Sequence, residues 1–96
     1  MFFYNLKNKN SDVVLAVCDD SIIDKNFEFK GQKIEIKGSF YGQKKANEKE
    51  ILQKAKKSTI INAMGDNIVS LLVENDIVDE KNVLDVGVKH AQVIKI

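Results

Sequence analysis

The chain has 96 residues, of which 44% are hydrophobic and 30% are charged, and its formal net charge at pH 7 is +1. This composition is typical of one globular domain spanning residues 1–96, and it excludes an intrinsically disordered chain. The longest apolar run, residues 13–18, is far shorter than the roughly 20 residues of a membrane span, and the N-terminal residues lack the segments of a signal peptide. The single cysteine, Cys18, is typical of a reducing compartment, so we expect a cytoplasmic protein without a membrane partner.

Charge is unevenly distributed along the chain. All 15 positively charged residues are lysine, so arginine, which reads guanine and phosphate with paired hydrogen bonds, is absent. Residues 43–57 contain six lysines and two glutamates, a net charge of +4. Residues 74–85, the acidic segment, contain five acids and one lysine, a net charge of −4. We interpret both segments either as solvated surfaces or as docking surfaces.

The first residues predict a β-hairpin. Residues 2–7 alternate weakly between apolar and polar side chains, as a half-buried strand does. Residues 13–18 are continuously apolar, which indicates a central strand covered on both faces. We expect residues 8–12 to be a polar connection between these strands. Asp19 and Asp20 would then cap a single helical turn.

A second hairpin is predicted around Gly31-Gln32, a pair typical of a two-residue turn. This turn aligns two phenylalanines with two isoleucines: Phe29 with Ile34 and Phe27 with Ile36. The same register places like charges opposite each other: Glu28 with Glu35 and Lys30 with Lys33. Such pairs repel, so the register is the weakest part of this prediction.

Two helices are predicted to follow the hairpins. Asn47 with Glu50 three residues later is typical of a capping box and predicts a helix over residues 47–57, whose lysines face water. Ser58 then predicts the cap of a second helix over residues 59–75. Apolar residues of this segment fall within one arc of about 120° at helical spacing.

Gly65 lies at the edge of that arc. Glycine inside a helix costs about 1 kcal/mol relative to alanine. We therefore expect another group to approach the backbone of Gly65 closely, so that a side chain there would be excluded.

The predicted fold class is α+β, an antiparallel sheet of hairpins with two consecutive helices packed on one face. The sheet is expected to contain residues 2–7, 13–18, 26–37 and a C-terminal segment made of residues 83–86 and 88–96. The expected core contains eleven residues: Leu15, Val17, Phe27, Phe29, Ile51, Leu52, Ile60, Met64, Ile68, Leu71 and Leu72.

Four groups of residues match, in order, those of a known family. They are Ala16-Val17-Cys18-Asp19, Phe40-Tyr41-Gly42, Thr59 with Ala63-Met64-Gly65, and His90-Ala91-Gln92. In their order and spacing the chain resembles a family of small archaeal proteins known as domain-of-unknown-function family four-two-four. It departs from the family pattern at Gln43, where glycine is expected, and at Lys89, where proline is frequent. The resemblance implies an archaeal cytoplasmic protein of α+β fold without an established activity, and it suggests a translation-related role.

Residues suited to covalent or metal chemistry are few. Cys18 and His90 are the single residues of their kinds, and a thiolate beside an imidazole would be a nucleophile pair. Cys18 ends an apolar strand, however, where free cysteine is usually a small buried hydrophobe. One histidine and one cysteine do not make an ordinary zinc site without carboxylates, so we expect no metal and no cofactor. His90 and Gln92 share a strand face with apolar neighbours, which is typical of a satisfied pair at a sheet edge or of a ligand contact.

An anion site is a further hypothesis. Lys56 and Lys57 precede Ser58, and a helix N-terminus beside two lysines can bind an anion, whereas simple capping by Ser58 is the alternative. The glycines of a phosphate-binding loop are missing from this segment. Tyr41, between the second hairpin and the basic helix, either closes the core or stacks on a base.

Three classes of function remain open from the sequence. The first is a non-catalytic binding module that docks its lysine-rich helix on RNA or a ribonucleoprotein. The second is a protein-interaction or dimerisation module that uses a sheet edge or the acidic segment. The third is a small enzyme with a site near Cys18, His90 and residues 40–42. The candidate binding residues carry charged or polar groups suited to such partners: Lys49, Lys54, Lys56, Lys57, Ser58, Tyr41, His90 and Gln92.

Overall fold

The computed structural model describes residues 1–42 and 44–95, in which strands and short helices alternate along the chain. The strands are β1 (Phe2–Lys9), β2 (Asp12–Asp19), β3 (Asn26–Phe29), β4 (Gln32–Glu35), β5 (Lys44–Ala46), β6 (Ile60–Met64), β7 (Leu84–Asp85) and β8 (Lys89–Ile94). The helices are α1 (Gly38–Tyr41), α2 (Glu48–Lys57) and α3 (Asp66–Glu74), and single 3-10 turns lie at Asp20–Ile22 and Glu80–Asn82. Gln43 of the family pattern and Ile96 of the predicted last strand lie outside the described residues.

Six of these strands form one mixed sheet in the order β5-β1-β2-β6-β8-β7. Neighbouring strands are antiparallel except for β2 and β6, which are parallel. The chain returns from the end of β2 to the start of β6 by a long crossover that includes α2, and parallel pairing requires such a crossover. The α+β prediction is confirmed, whereas the prediction of a purely antiparallel sheet is wrong at this central pair.

Residues 60–64, predicted as the first turns of a long helix, are the strand β6. This strand is covered on both faces, so its apolar residues are nearly continuous, and a short run of this kind matches a buried helix as well as a strand. Gly65 has a φ of 129°, which ends the strand and is incompatible with a helix interior. The predicted helix over residues 59–75 is therefore reduced to α3.

The hairpin of β3 and β4 is a separate two-stranded sheet, and its predicted place in the main sheet is wrong. Its turn is one residue earlier than predicted, because Lys30 (φ 52°) and Gly31 (φ 77°) both have the positive φ of a type I′ turn. The observed Cα partners are Asn26–Glu35, Phe27–Ile34, Glu28–Lys33 and Phe29–Gln32. The predicted like-charge pairs are thus replaced by a glutamate opposite a lysine, which is attractive.

The first hairpin is longer than predicted. β1 and β2 continue to a two-residue turn at Asn10 and Ser11, so most of the expected polar connection is part of the two strands. Asn10 has a φ of 57°, a left-handed conformation that asparagine adopts more readily than most residues. The prediction of a central strand after this turn is confirmed, since β2 lies between β1 and β6.

Each face of the main sheet carries a hydrophobic core. Helices α2 and α3 cover the first face, as predicted, and bury mainly aliphatic side chains there: Leu15, Val17, Ile51, Ala55, Ile61, Ile68, Val69, Leu71 and Leu72. The β3–β4 hairpin and α1 cover part of the second face, and a smaller group is buried there: Ala16, Cys18, Ile22, Ile36, Tyr41 and Met64.

Most of the predicted core is confirmed. The residues that are buried as expected are Leu15, Val17, Ile51, Met64, Ile68, Leu71 and Leu72. Four others are only partly buried: Phe27, Phe29, Leu52 and Ile60. The two phenylalanines belong to the separate hairpin, which packs one side on the second face and leaves the other to solvent.

Candidate functional site

Helix α2 presents lysines to solvent because its opposite side is buried. Asn47 caps the helix, since its Oδ1 accepts a hydrogen bond from the backbone N–H of Glu50 at 3.0 Å. Ile51 and Ala55, one helical turn apart, are fully buried on the first face of the sheet. The helix therefore has a fixed orientation, and three of its lysines are exposed: Lys49, Lys56 and Lys57.

Lys54 differs from the other lysines of α2 because it is half-buried against Tyr4 of β1. Its Nζ lies 5.1 Å from the centroid of the Tyr4 ring, which is a cation–π contact. Lys54 and Lys44 line a groove of about 180 Å³ together with Tyr4, Asn5 and Leu6. β5 pairs with β1 only as far as Tyr4 in the described chain, so the groove lies where the edge of β1 becomes open.

Ser58 ends α2 and begins no helix, so the predicted anion site at a helix N-terminus is wrong. The buried Ser58 hydroxyl donates a hydrogen bond to the backbone carbonyl of Lys54 at 2.7 Å, and its N–H donates to the carbonyl of Ala55. Lys95 Nζ also donates to the Ala55 carbonyl, at 2.8 Å. These donors satisfy carbonyl groups of the helix C-terminus. The two lysines before Ser58 lie at the negative end of the helix dipole, where a positive charge stabilises the helix.

Lys44 and the end of the acidic segment lie at opposite edges of the main sheet. β5, which carries Lys44, and β7, at the end of the acidic segment, are its outermost strands. Five strand spacings of about 4.8 Å place these strands about 24 Å apart. The ion pairs within the described ranges use Asp20 and Glu35 as acids, and none includes a lysine of residues 44–57. We name five lysines of β5 and α2 the lysine surface: Lys44, Lys49, Lys54, Lys56 and Lys57.

Tyr41 and Gln92 lie on the second face, away from the lysines of α2. The Tyr41 hydroxyl donates a hydrogen bond of 2.7 Å to Asn62 Oδ1, and Asn62 is the Cα partner of Gln92 on the next strand. Tyr41 is buried and closes the second core, whereas the adjacent Phe40 ring is 42% exposed. Burial, and to a smaller extent Cys18, raises the pKa of Tyr41 to about 12, so its hydroxyl keeps its proton at physiological pH.

Two further amide side chains of the second face are absent from the predicted site. Asn5 on β1 and Asn62 on β6 lie in one row across the sheet with Ala16 and Gln92, as the strand pairing shows. A polar residue between apolar neighbours of a strand is the sequence signal for each. A helix over residues 59–75 would place Asn62 outside the apolar arc, so the signal is lost when that segment is taken for a helix.

His90 and Cys18 are not a catalytic pair. Met64 of β6 lies between them as the Cα partner of both, and two strand spacings amount to about 10 Å. The half-buried His90 ring is engaged by the backbone carbonyl of Ala63, 2.9 Å from Nδ1. Burial, followed by three nearby aspartates, raises the pKa of the fully buried Cys18 thiol to about 12. This geometry gives no support to an enzyme that uses the thiol as its nucleophile.

Asp19 caps α3 and does not cap the turn that directly follows β2. Its Oδ2 accepts a hydrogen bond from the N–H of Asn67 at 2.9 Å, and its Oδ1 accepts one from the N–H of Ile68 at 2.8 Å. Burial raises the pKa of Asp19, although these two hydrogen bonds act in the opposite direction. The Asp19 carboxylate thus links the end of β2 to the start of α3.

The chemical groups of the site are cations, amides and one exposed aromatic ring. No group of three or more His, Cys, Asp or Glu side chains that could hold a metal ion occurs in residues 1–42 and 44–95. Across the same part of the chain, no helix is long and apolar enough to cross a membrane. The lysine surface and the second face meet at Asn5, which lines the groove and belongs to the amide row.

The fold has a counterpart among solved structures. The crystal structure of an uncharacterized conserved protein from Methanopyrus kandleri matches 99% of this chain and 93% of its own chain, with a TM-score of 0.80 and 24% sequence identity. At that identity the similarity shows a shared fold alone. No curated protein sequence matches the chain. Because the match to the family described as protein of unknown function (DUF424) covers residues 7–96, the chain belongs to that family.

Proposed function

We propose that the chain is a non-catalytic binding module that contacts RNA, alone or in a ribonucleoprotein, through the lysine surface. One observation carries this proposal: five lysines lie on β5 and α2, no ion pair among the described residues includes them, and the acidic segment ends at the sheet edge opposite β5. Although the net charge of the whole chain is only +1, the charge around these lysines is therefore positive. The proposed partner is a cytoplasmic RNA, which agrees with a translation-related role.

The chemistry of lysine determines how such a contact would behave. A lysine ammonium is a point charge that suits phosphate oxygens, and it lacks the fork with which arginine reads a base pair. Lys49, Lys56 and Lys57 are exposed and so can reach a phosphate without unfolding any packed element. We therefore expect binding that depends strongly on salt and weakly on nucleotide sequence.

The test is RNA binding across a salt series with bulk RNA and ribosomal particles. Replacing Lys49, Lys54, Lys56 and Lys57 with glutamine should flatten the slope of log affinity against log salt by up to about 3 units, since each single-strand contact contributes about 0.7. A matched control has the same change in charge at four exposed lysines elsewhere: Lys25, Lys30, Lys33 and Lys81. Equal slopes for the wild type and the lysine-surface variant would show that these lysines are only a solvated surface.

A groove beside the acidic segment favours protein interaction as a second candidate function. Its volume is about 340 Å³, and three valines line it with two glutamates and one lysine: Val69, Val73, Val83, Glu74, Glu80 and Lys89. An apolar floor beside carboxylates is complementary to a protein segment that carries an apolar residue and a cation. Sedimentation of the protein with and without nuclease treatment distinguishes the two candidates. A complex or dimer that persists without RNA would favour this second one.

A further inference from the structure

Phe40 is an exposed aromatic residue whose backbone contacts Asn5, a residue of the groove in the lysine surface. Phe40 is 42% exposed, while the adjacent Tyr41 is 5% exposed. Asn5 joins the two features, because its Nδ2 donates a hydrogen bond to the Phe40 carbonyl at 3.4 Å and the same residue lines the groove with Lys44 and Lys54. An exposed aromatic residue and two lysines thus lie beside the same short stretch of β1, residues 4–6.

Tyr41 holds the Phe40 ring in place. The two rings meet edge to face, with centroids 4.7 Å apart and planes at 89°, which is an arrangement that aromatic pairs prefer. Tyr41 is itself anchored by its hydrogen bond to Asn62. An exposed ring with a fixed orientation loses little conformational entropy when a planar group stacks on it.

We infer that Phe40 and the adjacent groove bind single-stranded RNA, with one base stacked on the Phe40 ring and a neighbouring phosphate at Lys44 and Lys54. This inference rests on the proposed function and names its substrate class. The two lysines make the groove complementary to an anion. A basic groove beside an aromatic side chain is a sequence-tolerant way to bind a single strand. A duplex keeps its bases stacked inside the helix, so it cannot place one on the ring.

The amide row crosses the second face from Asn5 to Gln92. Asn5 and Gln92 are three strand spacings apart, about 14 Å, and Asn62 lies between them. The Asn62 carbonyl oxygen is engaged by Tyr41, whereas Gln92 is exposed. Amide groups donate to and accept from the edges of unpaired bases. Ala16 in the middle of the row is buried, so Gln92 is the member that can hydrogen-bond a further base.

The test compares affinities for a labelled oligouridine and for a duplex RNA of the same length. The wild type should prefer the single strand, and Phe40→Ala should weaken single-strand binding by roughly 5- to 150-fold, since stacking is lost at one base. The salt slope should not change, because no cation is removed. Phe40→Trp should retain the affinity. Leu84→Ala is the matched control, because Leu84 is a 60% exposed apolar residue on β7 at the opposite edge.

The outcomes separate this inference from the proposed function. Wild-type affinity in Phe40→Ala, or equal binding of the duplex, would overturn the stacking site even if the lysine-surface variant loses its salt dependence. A weakened Phe40→Ala with an unchanged slope in the lysine-surface variant would support stacking and overturn the lysine contacts. Absence of binding by the wild type would overturn both. Thermal unfolding of each variant confirms that the exposed substitutions leave the fold intact.

Discussion

The carboxylate of Asp19 occupies the space beside Gly65 that a side chain would need. A Cβ atom on Gly65 would lie 2.5 Å from Asp19 Cγ, and the φ of Gly65 is +129°. Gly65 thereby lets Asp19 reach the backbone N–H groups of Asn67 and Ile68 at the start of α3. The close approach expected at Gly65 is confirmed, although the glycine follows a strand and the neighbour is a side chain.

Gly65→Ala should therefore destabilise the protein, by about 1–3 kcal/mol for the backbone strain alone. The added methyl group would also displace the Asp19 carboxylate and weaken the cap of α3. Chemical denaturation measures the loss as a change in the free energy of unfolding.

Gly31→Ala is the control for this substitution. Gly31 also has a positive φ, +77°, but no atom lies within 4 Å of the position of its Cβ. The free energy of unfolding of Gly31→Ala should therefore fall only by the strain of a left-handed backbone, about 1–2 kcal/mol. A Gly65→Ala variant that is as stable as Gly31→Ala, or more stable than the wild type, would contradict the close approach.

Asp19 should make stability depend on pH in an unusual direction for an acid. Burial raises its pKa above the ordinary 3.8, so the folded state holds the proton more tightly than the unfolded state. The stabilisation from this group is fully present below about pH 3.8 and is lost as the pH rises through the folded pKa. The free energy of unfolding of the wild type, relative to Asp19→Asn, should fall over that window. A difference that rises with pH would mean that the two backbone hydrogen bonds outweigh burial.

Cys18 should be chemically inert in the folded protein. The thiol is fully buried and its pKa is raised to about 12, so a negligible fraction is thiolate near neutral pH. Iodoacetamide at pH 8 should modify it only as fast as the protein unfolds, and the urea-denatured chain should react at once. Mass spectrometry measures the rate of alkylation. If the native protein were alkylated as fast as the denatured chain, the thiol would be accessible and the hypothesis of a nucleophilic Cys18 would be supported.

Tyr41→Phe should cost about 1–3 kcal/mol, because it leaves Asn62 Oδ1 without its donor in a partly buried site. Tyr4→Phe is the matched control, since Tyr4 is a mostly buried residue (8% exposed) whose hydroxyl has no hydrogen-bond partner among the described residues. The two variants are compared by denaturant unfolding. Equal stability of both variants would show that the Tyr41–Asn62 hydrogen bond is not formed in solution.

Part of the candidate site could be predicted from the sequence because its causes are local. The capping pair Asn47 and Glu50 and the apolar positions Ile51 and Ala55 define α2 and leave its lysines outside. The half-buried position of the Lys54 side chain could not be predicted in this way, because its contact with Tyr4 joins residues fifty positions apart.

The sequence identifies Gln92 and Tyr41 as candidate polar and aromatic residues, but it does not predict that both lie on the same face of the sheet. Their shared face depends on the parallel pairing of β2 with β6, which places Asn62 between them. Residues 60–64 are buried on both faces, so their sequence carries no alternation that would distinguish a strand from a helix.

The sequence by itself determined the family, the α+β class, the central strand β2, the capped helix α2 and the separation of basic from acidic segments. These features arise within a few residues, where periodicity, capping and charge act directly. Only the tertiary structure decided that residues 60–64 are a strand, that Asp19 caps α3 and that the Phe40 backbone contacts Asn5 of the lysine groove. Each depends on which distant segments share a sheet face, and that choice is made by burial of the whole core rather than by any local pattern.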